Sequence, residues 1–83
     1  MSNSLTIREM SEEFDVTART LRFYEAKELL FPLREGQKRL FTKRDRARLK
    51  LIVKGKRFGF SLEEIRQLLE LYDMGDQQQT QLA

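Results

Sequence analysis

The sequence predicts a mainly α-helical fold of four helices and one small β-hairpin, and three observations carry that expectation. Thr6 with Glu9, Thr42 with Asp45, and Ser61 with Glu64 form capping pairs ahead of apolar-periodic stretches, the pattern in which paired side chains satisfy the free amides of a helix start. A polar break, Asp15-Val16-Thr17, splits the first helical stretch. The single proline, Pro32, lies in the apolar run Leu29-Leu30-Phe31-Pro32-Leu33 and cannot donate a backbone hydrogen bond, so extended structure is expected there. With 83 residues, one compact domain over residues 5–74 is expected, preceded by a flexible terminus at 1–4.

Each element has its own signal. Ile7, Met10 and Phe14 recur at helical spacing, giving a first helix over about residues 6–14. Thr17 caps a second helix with Ala18, Leu21 and Tyr24 inward, fading near Lys27. Arg34-Glu35-Gly36-Gln37 supplies a turn, after which Lys38-Arg39-Leu40-Phe41 returns as the second strand of a two-stranded hairpin. The third helix opens at Thr42 with Leu49, Ile52 and Val53 inward and Lys43, Arg44, Arg46, Arg48, Lys50 and Lys54 outward. Gly55 costs that helix about 1 kcal/mol relative to Ala if interior, and Gly59 reads as its stop. Leu62, Ile65, Leu68, Leu69 and Tyr72 share one face of a fourth helix and are expected in the core. From Gly75 onward the chain is polar, and residues 75–83 read as a tail or as the start of a further helix.

Composition narrows the function. No histidine and no cysteine occur, which removes the commonest general base, the commonest metal ligands, cysteine nucleophiles and disulfides. Catalysis is therefore not expected, nor any cofactor. No apolar run approaches the ~20 residues that span a bilayer, and the opening Met1-Ser2-Asn3-Ser4-Leu5 lacks the build of a signal peptide. A cytoplasmic location, with no membrane partner, is the expectation. The net charge of +3 conceals a strong asymmetry: residues 31–60 carry eleven basic and two acidic side chains, between flanks that are net acidic. That pattern suits either a surface facing a polyanion or a solvated basic helix.

Helix, tight turn, helix, basic hairpin, basic helix and amphipathic helix together describe a winged helix-turn-helix. Within that order, Leu5-Thr6-Ile7-Arg8-Glu9-Met10, Val16 through Glu25 (Val-Thr-Ala-Arg-Thr-Leu-Arg-Phe-Tyr-Glu), Leu29-Leu30 with Pro32, Arg39-Leu40-Phe41, and Gly59-Phe60-Ser61-Leu62-Glu63-Glu64-Ile65 resemble transcriptional regulators of the MerR type over about residues 5–70. A recognition helix contacts base edges mainly from its N-terminal turns, which nominates Thr17, Arg19 and Thr20. Arg19 is the first candidate for base reading; the alternative is an exposed arginine paired with Glu12 or Asp15. The resemblance assigns Arg22, Phe23 and Tyr24 to the DNA backbone. Phe23 has no hydroxyl to give a phosphate, and either ring can instead pack in the core. In the hairpin wing, Arg34, Lys38 and Arg39 would meet flanking phosphates and reach toward the minor groove. Two departures from the family pattern are Lys38, where relatives often have an aromatic, and Glu28, where many have glycine; a left-handed backbone at Glu28 would be strained by about 1 kcal/mol.

The resemblance implies a homodimer on inverted repeats in promoter DNA, distorting that DNA so that RNA polymerase can use it, with the effector unidentified. It also implies a long dimerising helix after the fourth helix, so the chain is expected to be the DNA-binding portion of a longer regulator or a short member. Two alternatives share the fold: a chaperone modulator that binds protein, and an excisionase-like factor that bends DNA. Retention of Arg19, Arg22, Arg34, Lys38 and Arg39 argues against the first.

Overall fold

The computed structural model describes residues 4–82, with backbone alone from 74 to 82; the flexible terminus expected at residues 1–4 lies almost wholly outside that range. Seven elements follow in order: β1 (Leu5–Thr6), α1 (Ile7–Phe14), α2 (Ala18–Ala26), β2 (Leu33–Glu35), β3 (Lys38–Phe41), α3 (Lys43–Arg57) and α4 (Leu62–Leu82). Two compact units, Met1–Lys50 and Leu51–Ala83, divide within α3. The backbone of α4 runs on through the polar stretch after Gly75.

In the first unit, the capping box at Thr6 forms as the sequence predicts. The Glu9 amide donates to Thr6 Oγ1 at 3.2 Å, and the Thr6 amide donates to Glu9 Oε1 at 2.8 Å. Thr17 caps α2 by accepting from the Thr20 amide at 3.0 Å. Between them, Asp15 takes a left-handed φ of 55°, and its amide bonds back to the Ser11 carbonyl, while the Ser11 hydroxyl donates to the Val16 carbonyl. This tight turn fixes the angle between α1 and α2. Asp is among the few residues with a side chain short and polar enough to tolerate that backbone.

The expected two-stranded hairpin is a three-stranded antiparallel sheet in the order β1-β3-β2. Leu5 pairs with Phe41 and Thr6 with Leu40, so the residues just before α1 use the free edge of β3. Two residues are too few to show a periodic signal, which is why the pattern alone does not reveal β1. Leu33, Arg34 and Glu35 pair with Leu40, Arg39 and Lys38 across a two-residue turn, where Gly36 supplies the left-handed φ of 63°.

Met10, Leu21, Tyr24, Leu29, Leu30, Phe41 and Leu49 are the buried apolar side chains of this unit. Two polar side chains join them. Asp45 is 2% exposed, accepts from the Phe31 amide at 2.9 Å and closes the cap with Thr42. Arg48, expected on the outward face of α3, is 6% exposed: its Nε donates to the Leu29 carbonyl at 2.8 Å, and its guanidinium lies 5.2 Å from the centre of the Phe31 ring. The loop entering the wing carries carbonyls that no strand satisfies, and Arg48 turns inward to meet one.

In the second unit, the Phe60 and Gly59 amides close α3 by bonding to the Gly55 and Lys56 carbonyls. Ser61 and Glu64 then open α4 with a full capping box of their own. Ile52, Ile65 and Leu69 are buried. Leu68 and Tyr72, expected in the core, are each 42% exposed, and Leu71 and Phe58 more so. Among the described residues of α4, the buried apolar side chains are Ile65 and Leu69, one turn apart, and most of the rest of its apolar face is left exposed. Gly55 is interior to α3 for a packing reason: a Cβ there would stand 2.8 Å from Ile65 Cγ1.

Two stability outcomes follow. Glu28 sits just past α2 with a left-handed φ of 62°, so Glu28→Gly should raise stability by about 0.5–1 kcal/mol in chemical denaturation. Gly55→Ala should lower it by about 1 kcal/mol, because overpacking against buried Ile65 outweighs the gain in helix propensity.

Candidate nucleic-acid interface

The candidate residues lie on two elements of the first unit, α2 and the β2–β3 wing. At the start of α2, the Thr17 and Thr20 side chains are bound to each other, the Thr17 hydroxyl donating to Thr20 Oγ1 at 2.9 Å. Their first role is to cap the helix and hold its N-terminal turn rigid. Arg19 and Arg22 project into solvent one turn apart. Glu12, a possible partner for Arg19, is instead engaged by Arg8 at 3.5 Å. Both arginines are thus presented on the exposed side of α2 with their donors available to an acceptor outside the chain.

The two aromatic candidates separate. Tyr24 is 7% exposed and belongs to the core, whereas Phe23 is 45% exposed. Burial raises the Tyr24 hydroxyl above its ordinary value of 10.0. The rings touch at a tilt, 5.8 Å between centres, and Lys27 Nζ lies 5.6 Å from the centre of Phe23. Phe23 is therefore an exposed apolar ring on a cationic surface.

In the wing, Lys38 is exposed, but Arg34 and Arg39 are both drawn to Glu25 at the end of α2. Arg39 Nε donates to Glu25 Oε1 at 2.6 Å and Arg34 Nη2 to Oε2 at 2.9 Å. Burial pushes the Glu25 carboxyl up, yet the hydrogen bonds and charges of the two arginines outweigh it and hold the group below the ordinary 4.5. Sequence reasoning did not single out Glu25 as a partner of the wing. Its only signal is an acidic residue directly after the inward Tyr24, with arginines nine and fourteen positions later; nothing local pairs them.

The basic stretch of α3 is likewise partly engaged. Arg46 Nη2 donates to both Glu13 oxygens, at 2.9 and 3.2 Å, and Arg48 is buried. Lys43, Arg44 and Lys50 remain on the surface of the first unit, and Lys54, Lys56 and Arg57 on that of the second. Among the described residues, no group of three or more His, Cys, Asp or Glu is arranged to hold a metal. Among the same residues, no helix is long and apolar enough to cross a membrane.

Comparison with known proteins decides the family, since residues 5–71 match the model of the MerR HTH family of regulatory proteins. The chain belongs to the MerR family. It is 42% identical over 67 residues to the HTH-type transcriptional regulator ZntR of Escherichia coli (strain K12), covering 78% of this chain and 48% of that one. To HmrR of Rhizobium leguminosarum bv. viciae it is 37% identical over 73 residues, covering 87% and 57%. Among solved structures, it is similar to HiNmlR, a MerR family regulator lacking the sensor domain, bound to promoter DNA (TM-score 0.75, 33% identity, 89% of this chain and 58% of that one). PbrR691 from Ralstonia metallidurans CH34, in complex with lead(II), is similar at a TM-score of 0.77 and 38% identity, over 86% of this chain and 57% of that one. This MerR-family chain has the winged helix-turn-helix fold of those structures and spans about half the length of the curated relatives it matches.

The ion pairs at Glu25 make stability depend on pH. A lowered folded-state pKa means that the contribution is fully present above the ordinary carboxylate value of 4.5 and is lost as pH falls through the folded value. Solvent screens these partly exposed pairs, so Glu25→Gln should cost about 0.5–1 kcal/mol at pH 7, and denaturation curves of the two proteins should converge in strongly acidic buffer.

Proposed function

We propose that the chain is the DNA-binding part of a MerR-type transcriptional regulator that reads promoter DNA in a sequence-specific way. Residues 5–74 form that part on this reading. The observation that carries it is the exposed, unengaged pair Arg19 and Arg22 on a rigidly capped α2. A helix of this kind fits the major groove, where arginine forks match the acceptors of guanine. Arg19, beside Thr17 and Thr20 in the first turn, reads a base edge; Arg22 lies one turn on and meets the phosphate backbone with Phe23 packed against the sugar. Tyr24 supports this surface from beneath, and Arg34, Lys38 and Arg39 supply the positive field of the wing. The likeness to a promoter-bound regulator supports the same reading.

The regulator acts in the cytoplasm as a homodimer on an inverted repeat, because two identical recognition helices related by a two-fold axis match two identical half-sites. Distortion of the DNA between those half-sites then controls its use by RNA polymerase. Selection from a random duplex library, with the chain joined to a dimerising helix and at two salt concentrations, tests this directly. An enriched palindrome is the expected result. Binding without enrichment, abolished at moderate salt, would reduce the interaction to charge attraction and overturn the reading.

A single substitution tests the assignment within it. Arg19→Ala should weaken binding to the selected duplex by about 1–3 kcal/mol and relax preference at one base position. Uniform weakening across all sequences would move Arg19 to the phosphates.

A further inference from the structure

Arg34 and Arg39 are opposite one another in the β2–β3 register, and both reach a single carboxyl that belongs to a different element. Glu25 lies in the last turn of α2 and binds Arg39 through one oxygen at 2.6 Å and Arg34 through the other at 2.9 Å. The side chains of Glu25 and Arg39 are 21% and 23% exposed, while Arg34 remains 51% exposed. One anion therefore joins both strands of the wing to the last turn of the recognition helix.

This arrangement has two physical effects. It fixes the wing at a set distance and angle from α2, because two hydrogen bonds from opposite strands leave little freedom to tilt. It also offsets one of the three positive charges, Arg34, Lys38 and Arg39, with which the wing would meet phosphate. Phosphate attraction is independent of sequence, whereas base-edge contacts are not, so muting the wing's charge and fixing its geometry both favour selectivity over bulk affinity. We infer that Glu25 is a positioning residue for specificity, bridging Arg34 and Arg39 so that the wing engages DNA only in register with the recognition helix. The inference rests on the DNA-binding reading above.

Glu25→Gln keeps the shape of the side chain and removes its charge. Binding of the wild-type and variant chains would be measured by fluorescence anisotropy across a salt series, on the duplex enriched by selection and on a random-sequence duplex. The variant should bind the random duplex more tightly, steepen the log-log salt slope by a little under one unit, and reduce the ratio of specific to random affinity roughly tenfold. Glu25→Asp, which restores the charge, should recover most of that ratio. A role confined to folding would lower both affinities together and leave ratio and slope unchanged, so either quantity staying at its wild-type value overturns the inference. Absence of any sequence preference in the wild-type chain is a separate outcome, which overturns the DNA-binding reading itself and the inference with it.

Discussion

The buried carboxyl of Asp45 is the constraint on which the first unit depends. It sits in the first turn of α3, 2% exposed, where a carboxyl favours the free amides of a helix start. Its Oδ1 accepts from the Phe31 amide at 2.9 Å, and its Oδ2 faces the Thr42 amide and hydroxyl at 3.4 Å. A buried carboxyl is stable only when its oxygens are satisfied, so the loop between α2 and the wing is held where it can supply that amide. Arg48, one turn along α3, binds the Leu29 carbonyl of the same loop. The two side chains thus pin the backbone on either side of Leu30, and the apolar side chains of Leu29 and Leu30 are driven into the core together.

That pinned loop determines what the wing can do. Pro32 follows directly, and β2 begins at Leu33. The hairpin therefore leaves the core from a fixed point, and the Glu25 bridge fixes it at a second. A short hairpin alone is marginally stable in water; here β1 adds a third strand on the other side of β3, and the arginine–carboxyl pairs tie both β2 and β3 to α2. The exposed strand β2 carries Arg34 and Glu35, charges that discourage edge-to-edge association.

The basic charge of residues 31–60 is distributed among unlike tasks. Arg48 satisfies a backbone carbonyl, Arg46 pairs with Glu13, Arg39 and Arg34 share Glu25, and Lys43 and Lys50 are exposed. A uniform basic surface would attract any polyanion equally. Outside the basic stretch, Arg19 and Arg22 are exposed on α2.

The sequence by itself determined the element order, the helix starts and the resemblance that nominates α2 and the wing. Capping boxes at Thr6 and Ser61 and the left-handed backbone at Glu28 are local, set by residues within a few positions, and local physics is legible in a linear pattern. Tertiary structure alone decided the rest: the third strand at Leu5–Thr6, the burial of Arg48, the exposure of Leu68 and Tyr72, and the separation of Tyr24 into the core from Phe23 at the surface. The Glu25 bridge belongs with these. Each depends on partners distant in the chain, and an arginine at a helical position has the same periodicity whether a carbonyl, a carboxyl or water awaits it. What a side chain is able to contact is written in its chemistry, whereas what it does contact follows from which backbone groups the fold leaves unsatisfied beside it.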